Sequence, residues 1–484
     1  MAFLMFKANP RGGIMNEKKA QPTVRVWIAI VLFILMGAIA GNTEGMYMGL
    51  FLDNTVFENG PMGASITLTD AVNIIVSVGA VISCVTAFVV GSFIEKKKNR
   101  KAFISISYIV WGIIMLFFSA VSNENIRKIF GISQTEPAKF ITITAAITVT
   151  FALILTFLRS TAADTAFNSW LTEVSTPETS TIIEVLFTIM GFVATAIITV
   201  LVVRVESDST LGYYSIFILL GLFAIVLGII GFFIIHNPEK NEETKNTEGN
   251  GAKVDIFYGL RPRVIKENSN LYLMLSSGCL FNCAVQVFLP YFFIYISSVI
   301  IKENKGFEMP VFILLALMSV SFGFMLILIL MKASSKHKAL SFVPSVICLI
   351  IGFLILSSTK NIFGFVVGLA PAFVGYVIIM IQFGATVRDN IPQDKADLFQ
   401  GARMLFLFLI PEVVGPTIGN IAAKNSNVIF EYNYAEKLLP TEDMFLYSAI
   451  FSALIFIPMI PFLIKDSKRA RKEKMETTEE KEEI

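Results

Sequence analysis

The chain has 484 residues, of which 55% are hydrophobic and only 16% are charged, and its formal net charge is +2. A soluble fold of this length could not bury so much apolar side chain in one core, and a nearly neutral charge gives no basis for nucleic-acid binding. The mean hydropathy of +0.71 therefore excludes an ordinary soluble protein and indicates one whose solvent is membrane lipid.

The N-terminal segment, residues 1–24, is basic and lacks the compact apolar core of a removable signal peptide. We expect this segment to lie in the cytoplasm. Met15 is followed by a polar stretch and is a second candidate start beside Met1, so the sequence leaves the true start open.

Apolar runs of about 20 residues, each long enough to cross a ~30 Å hydrocarbon core as a helix, recur along the chain. Twelve transmembrane helices are predicted, which puts both termini on one side. About 30 of the 39 Lys and Arg residues lie on that side, so both termini are predicted to be cytoplasmic. The approximate centres of the spans are Leu35, Val81, Ile113, Ala152, Ala194, Leu222, Phe288, Leu315, Leu349, Val374, Ile410 and Leu454.

The first span contains Asn42 and Glu44, which follow Gly41 in a stretch of small and polar residues. A charge at the bilayer centre costs ~2.5 to 3.5 kcal/mol, so an ionisable residue there needs a partner or a role. We expect Asn42 to contact a solute and Glu44 to act in coupling or gating. The alternative is that the helix ends early and Glu44 lies in water.

The connection between the second and third spans contains Gly91, Glu95, Lys96 and Arg100. Gly91 permits close helix approach, and Glu95 beside basic residues can form charge-assisted hydrogen bonds to neighbouring helix ends. The stretch GSFIEKKKNRK resembles the signature of the major facilitator superfamily, in which a glycine, an acid and a basic cluster connect these two helices. Its basic residues can also bind anionic lipid.

The fourth span carries an acid near its inner end. Asp164 and Asn168 are four residues apart, so an α-helix places them on one face. We interpret both as coupling or gating residues. Arg159 precedes Asp164 by five residues and is therefore expected to point elsewhere, toward the inner surface or another span.

A long polar interruption at residues 236–270 is too charged and too poor in aromatic residues to fold alone. It is predicted to be a cytoplasmic linker between two pseudo-symmetric six-helix bundles, residues 25–235 and 271–464. A cytoplasmic tail is predicted at 465–484. Two such bundles are typical of a transporter in which the halves rock around a central site.

The seventh span has Asn282 and Gln286 four residues apart near mid-depth, followed by Tyr291. Amides on one face with an aromatic ring suit a neutral polyhydroxylated ligand, which needs hydrogen-bond donors and acceptors at once. These three residues are predicted to bind substrate. The alternative role of the amides is hydrogen bonding between helices.

The eleventh span carries Glu412 close to the membrane midplane, between Pro411 and Pro416. The prolines predict a broken helix whose free carbonyls could share a site with a cation. We interpret Glu412 as a coupling residue. The alternative is a protonated side chain that is hydrogen-bonded to a neighbouring helix.

Further segments resemble a bacterial branch of the same superfamily that is similar to the glycoside-pentoside-hexuronide:cation symporters: residues 160–173 with 183–186, 286–291, and 388–392 with 398–403. The resemblance implies a bacterial cytoplasmic membrane, and it places Asp164 where melibiose permeases have an acid used in cation coupling. The two second-span acids of that group fall on Ser83 and Ala87. A lone acid offers sodium too few oxygens, so we expect coupling to protons.

The sequence thus predicts an all-α polytopic membrane protein, not an enzyme, that takes up a sugar or glycoside with protons as a monomer. No phosphate-binding loop is present, which argues against ATP-driven pumping. The four cysteines lie in apolar spans without metal-ligand spacing, so no metal, cofactor or disulfide is expected. The alternatives are an exporter of amphipathic molecules, which the 44 phenylalanines would suit, and a receptor or scaffold without transport.

Overall fold

The computed structural model describes residues 23–58, 62–97, 99–119, 123–132, 136–174, 177–207, 212–235, 258–301, 338–390, 399–425, 429–432, 435–465 and 467. Within these ranges, nine helices are long and apolar enough to cross a membrane, and two shorter apolar helices accompany them. The protein is therefore an all-α polytopic membrane protein, in which backbone polar groups are satisfied inside each helix rather than by lipid.

The described residues of the first half form seven helices. They are α1 (Val24–Val56), α2 (Leu68–Lys97), α3 (Arg100–Ser119), α4 (Asn123–Phe130), α5 (137–174), α6 (Pro177–Ser207) and α7 (Tyr214–Ile234). After α7 the described residues resume with a 3₁₀ turn, Tyr258–Leu260, inside the predicted linker. The helices that follow are α8 (Pro262–Glu267), α9 (269–301), α10 (Lys338–Ser357), α11 (Ile362–Asn390), α12 (400–425) and α13 (Asp443–Lys465).

The predicted span centres each lie in one of these helices, except Leu315, which falls outside the described residues. An antiparallel hairpin between α12 and α13 was not predicted. Its strands are β1 (Ile429–Tyr432) and β2 (Ala435–Leu438), with Ile429 paired to Leu438. A hydropathy window cannot detect it, because short strands with a tight turn carry no long apolar run.

The motif between α2 and α3 is mostly helical rather than a loop, because α2 continues to Lys97. The side chains of Gly91, Glu95 and Lys96 lie outside the described residues. Arg100 is the first residue of α3.

Several membrane helices contain π-helical segments, in which the backbone hydrogen bonds join residues five apart. The π-helical segments are Thr43–Tyr47 and Leu52–Val56 in α1, Ser160–Phe167 in α5, Ile296–Ile301 in α9 and Leu405–Leu409 in α12. Such segments are rare in proteins as a whole, and those that occur are often found at functional sites.

Glycines let α12 lie directly on α9. A Cβ atom at Gly415 would stand 2.4 Å from the Cβ of Gln286, and one at Gly419 would stand 2.2 Å from the carbonyl oxygen of Val287. Small residues of this kind permit close helix contact in membranes. The packing holds the middle of α12 beside the polar residues of α9.

Candidate functional site

Arg159, the last residue of the first α-helical part of α5, lies at the centre of a buried charge cluster. Its Nε donates to Oε2 of Glu44 at 2.8 Å, and its Nη1 donates to both carboxylate oxygens of Asp164 at 3.2 and 2.9 Å. The side chains of Arg159 and Glu44 are only 14% and 7% exposed. A buried guanidinium tolerates this environment because charge-assisted bonds compensate its lost hydration.

The expectation that Arg159 points away from Asp164 is wrong. In an α-helix, residues five apart differ by about 140° around the axis. The segment Ser160–Phe167 is π-helical, however, and this geometry brings residues five apart onto one face. The pairing of Arg159 with Asp164 therefore follows from the backbone conformation.

Glu44 lies in the π-helical segment Thr43–Tyr47 of α1 and is buried. Its Oε1 accepts a hydrogen bond from Nε1 of Trp111 at 3.4 Å, in addition to the ion pair with Arg159. The alternative that the first helix ends before Glu44 does not hold, since α1 continues to Val56. Glu44 thus joins α1 and α3 to the charge cluster on α5.

Hydroxyl groups connect α2 to the same cluster. The Oγ of Ser160 donates to Oδ2 of Asp164 at 2.9 Å and lies 2.6 Å from the Oγ of Ser83. Ser83 is a position where the resembled group has an acid. Here its hydroxyl reaches Asp164 through Ser160.

Glu412 approaches the cluster from the second half of the chain. It is partly exposed and interacts electrostatically with Arg159, Asp164 and Glu44. Within the described part of the chain, its carboxylate has no hydrogen-bond partner. Three carboxyl groups therefore interact electrostatically with one guanidinium. If all three were ionised, the excess negative charge inside a membrane would have to be balanced by protons or by another cation.

The helix around Glu412 is not broken as predicted. Residues Ile410–Asn425 form one α-helix, and the irregular part is the π-helical segment Leu405–Leu409 before it. The carbonyl oxygen of Leu407, inside this π-helical segment, accepts a hydrogen bond from Nδ2 of Asn282 at 2.9 Å. The Asn282 amide therefore joins α9 to α12.

The other predicted substrate residues lie in different surroundings. Gln286 is partly exposed beside Gly415, whereas Tyr291 is fully buried and its hydroxyl donates to the carbonyl of Pro416 at 2.9 Å. Asn42 donates to Oγ1 of Thr195 at 2.9 Å. Tyr291 thus packs between α9 and α12.

The side chains of Asn168 and Arg100 donate hydrogen bonds to backbone carbonyl groups near the end of α5. Nδ2 of Asn168, an exposed residue, donates to the carbonyl of Asp164 at 3.1 Å. Nη1 of Arg100 donates to the carbonyl of Ser169 at 3.2 Å. The motif between α2 and α3 therefore contacts the helix that carries the charge cluster.

The two halves are in contact at the end of the bundle where α1 ends and α2 begins. We call this end the distal end. The opposite end, where α1 begins, is the proximal end. Oδ1 of Asp70 on α2 accepts Nζ of Lys424 at 2.6 Å and Nδ2 of Asn420 at 2.8 Å, both on α12. We call these three residues the distal latch. Nearby, Thr417 also donates to Asn73 at 3.3 Å.

The sequence analysis missed the roles of Arg159 and of the distal latch. A basic residue deep in a predicted span was a signal for Arg159, since such a charge needs acidic partners. No sequence signal connects Asp70 with Lys424, because 354 positions separate them.

Comparison with known proteins gives a family and a fold. The sequence model of the Major Facilitator Superfamily matches residues 71–416. A variant of the nucleoside transporter NupG is similar in structure, with a TM-score of 0.62, 12% sequence identity and coverage of 90% of this chain and 99% of that chain. A bacterial homologue of the human lysosomal transporter Spinster, in an inward-facing and unoccupied conformation, has a TM-score of 0.59, 13% identity and coverage of 91% and 98%. At these identities the likeness shows the fold alone. The search among curated proteins found no match.

Proposed function

The chain belongs to the Major Facilitator Superfamily, and on that premise we propose that it is a secondary transporter that takes up a polar, polyhydroxylated solute, a sugar or glycoside, together with protons. It works as a monomer by alternating access between residues 25–235 and 271–464. Both termini lie in the cytoplasm, and the membrane is the bacterial cytoplasmic membrane.

The observation that carries the proposal is the electrostatic interaction of Glu412 with Arg159 between the two halves of the chain. Glu412 belongs to the second half, whereas Arg159 and its partners Glu44 and Asp164 belong to the first. A carboxyl group between two moving halves changes its attraction to the opposite half when it gains or loses a proton. Glu412 is therefore the proton carrier of the proposed cycle, and Asp164 holds the fixed counter-charge.

Proton coupling is favoured over sodium coupling by the occupancy of the carboxylates. Arg159 engages both oxygens of Asp164 and one oxygen of Glu44. Sodium is a hard cation that, like other such ions, needs several oxygen ligands, and here a guanidinium already uses them. A proton needs only one acceptor.

A polar solute is favoured over an amphipathic one because carboxyl, amide and hydroxyl groups converge between the halves. Gln286 and Glu412 are partly exposed on the second half, and so are Asn73 and Ser77 on α2, which contact α12 at Thr417 and Val413. Such groups orient a hydroxylated ligand, whereas an amphipathic ligand would be held by an apolar wall. The choice of a sugar or glycoside within the polar class rests on the sequence resemblance.

Uptake by the purified protein in proteoliposomes tests this function. Radiolabelled galactosides, xylosides and glucuronides are supplied with and without an inward proton gradient. Nucleosides are included because NupG, which is similar in structure, is a nucleoside transporter. We expect one sugar or glycoside to accumulate only with the gradient. Uptake of none of them, or accumulation without a proton gradient, would overturn the proposal.

A further inference from the structure

Each ionisable group of the charge cluster lies in or beside a π-helical segment. Glu44 lies within Thr43–Tyr47, Asp164 lies within Ser160–Phe167, and Glu412 comes three residues after Leu405–Leu409. A π-helical segment is uncommon, and something must stabilise it against the ordinary α-helix. The charge cluster is the feature that these three places share.

In the segment Ser160–Phe167, an ion pair joins a residue of the segment to the residue that immediately precedes it. Arg159 stands immediately before it, and Asp164 receives both hydrogen bonds from Nη1 of that arginine. If the segment became α-helical, Asp164 would lie about 140° around the helix axis from Arg159, and both bonds would be lost. The ion pair and the π-helical conformation therefore depend on each other.

The residues that follow the segment form the proximal end of α5. Asn168 is exposed there, while Trp170 and Leu171 are buried, 1% and 6% exposed. Removal of one π-helical insertion turns everything that follows by about 100° and moves it by about 1.5 Å. Such a turn would break the hydrogen bond from Arg100 to Ser169 and exchange the buried and exposed faces.

We propose that Arg159 is a positioning residue that holds Ser160–Phe167 in the π-helical form through Asp164. When the pair opens during transport, part of the segment becomes α-helical and the proximal end of α5 turns against Arg100. This inference rests on the proposed transport function, because the opening is driven by competition for Arg159 from the acids that face it. These are Glu44 on α1 and Glu412 on α12, besides Asp164 itself.

The rotation predicts opposite changes in the reactivity of two cysteines. Asn168→Cys and Leu171→Cys are made separately in a protein whose native cysteines, Cys84, Cys279, Cys283 and Cys348, are replaced, and each is labelled with a water-soluble maleimide. With Arg159 intact, the cysteine at 168 reacts fast and the cysteine at 171 slowly. In Arg159→Gln or Asp164→Asn we expect the ratio of the two rates to fall on the order of ten-fold, which corresponds to about 1.4 kcal/mol.

A general loosening of the helix would raise both rates together, and that outcome would overturn the proposal, as would an unchanged ratio in both variants. Lys139→Gln is the matched control. It removes an exposed ion pair with Glu136 near the opposite end of α5, and it should leave the ratio unchanged. Arg159→Lys keeps the positive charge but has a single nitrogen atom in place of the Nε and Nη1 that bind Glu44 and Asp164, so we expect an intermediate ratio.

Transport gives the second measurement. For Arg159→Lys we expect the maximal uptake rate to fall about ten-fold while KM changes less than about three-fold, since the residue acts on the conformational step rather than on solute binding. A large rise in KM at an unchanged maximal rate would assign Arg159 to the solute instead. Because the labelling ratio needs no transported solute, its result stands apart from the success or failure of the uptake panel.

Discussion

Removal of the distal latch should let the two halves separate more often at that end. In Lys424→Met, Asp70 loses the ammonium group that lies 2.6 Å from its Oδ1. The hydrogen bond from Asn420 to the same oxygen remains. The substitution therefore removes one contact between the halves and leaves α2 and α12 otherwise intact.

The size of the effect follows from exposure. The side chains of Lys424 and Asp70 are 45% and 25% exposed, so solvent screens much of the attraction. Partly exposed ion pairs contribute about 0.2 to 1 kcal/mol. A loss of about 0.5 to 1 kcal/mol increases the population of the open distal end about two- to five-fold. Asn420→Ala in the same protein should increase it further, because a hydrogen bond to a charged group contributes about 1.5 to 3 kcal/mol.

A cysteine behind the latch measures this population. Ser77 is partly exposed on α2 and lies close to the backbone of α12 at Val413. In a background without native cysteines, Ser77→Cys is labelled with a membrane-impermeant maleimide from the distal side. We expect the rate to rise about two- to five-fold in Lys424→Met. Lys139→Met, which breaks an exposed ion pair within the first half, should leave it unchanged. Equal rates in both variants would refute the latch. Reaction only from the side of the termini would refute the assigned direction of closure.

Three other outcomes are expected. Glu412→Gln should keep exchange of solute down its own gradient and lose accumulation driven by protons, because a neutral amide cannot take up or release the proton; full accumulation in proteoliposomes would exclude Glu412 as the carrier. Replacement of sodium by choline at fixed pH should leave uptake unchanged, and a large loss would show that a set of ligands other than Asp164 binds sodium. Asn282→Ala should destabilise the protein by about 0.5 to 1.5 kcal/mol in thermal unfolding, because the hydrogen bond from Asn282 to the carbonyl of Leu407 between α9 and α12 is lost. An unchanged unfolding temperature would contradict this account.

Much of the fold could be predicted from the sequence because hydropathy acts over whole segments. A run such as the one around Leu222 must lie in lipid wherever its neighbours pack, and α7 covers it from Tyr214 to Ile234. The predicted linker at 236–270 is described only from residue 258 onward, where it contains the 3₁₀ turn Tyr258–Leu260 and the short helix α8, which the sequence did not predict. The hairpin after α12 escaped prediction, because its two four-residue strands bury no long apolar run.

The candidate site was predicted only in its composition. Glu44, Asp164 and Glu412 could be named from the sequence, since an acid in an apolar run is costly and stands out. Their arrangement could not be derived, because helical spacing rules assume an α-helix. The π-helical turn at Ser160–Phe167 reversed the predicted direction of Arg159 relative to Asp164.

The sequence by itself therefore determined the solvent of the protein, the membrane helices and the acids that need partners, because these follow from the transfer of single side chains between water and lipid. The tertiary structure alone decided which partners they have. Arg159 meets Glu44 across 115 positions, and Asp70 meets Lys424 across 354. Such contacts depend on the packing of distant helices and on local departures from α-helical geometry, and neither is encoded in the periodicity of any one segment.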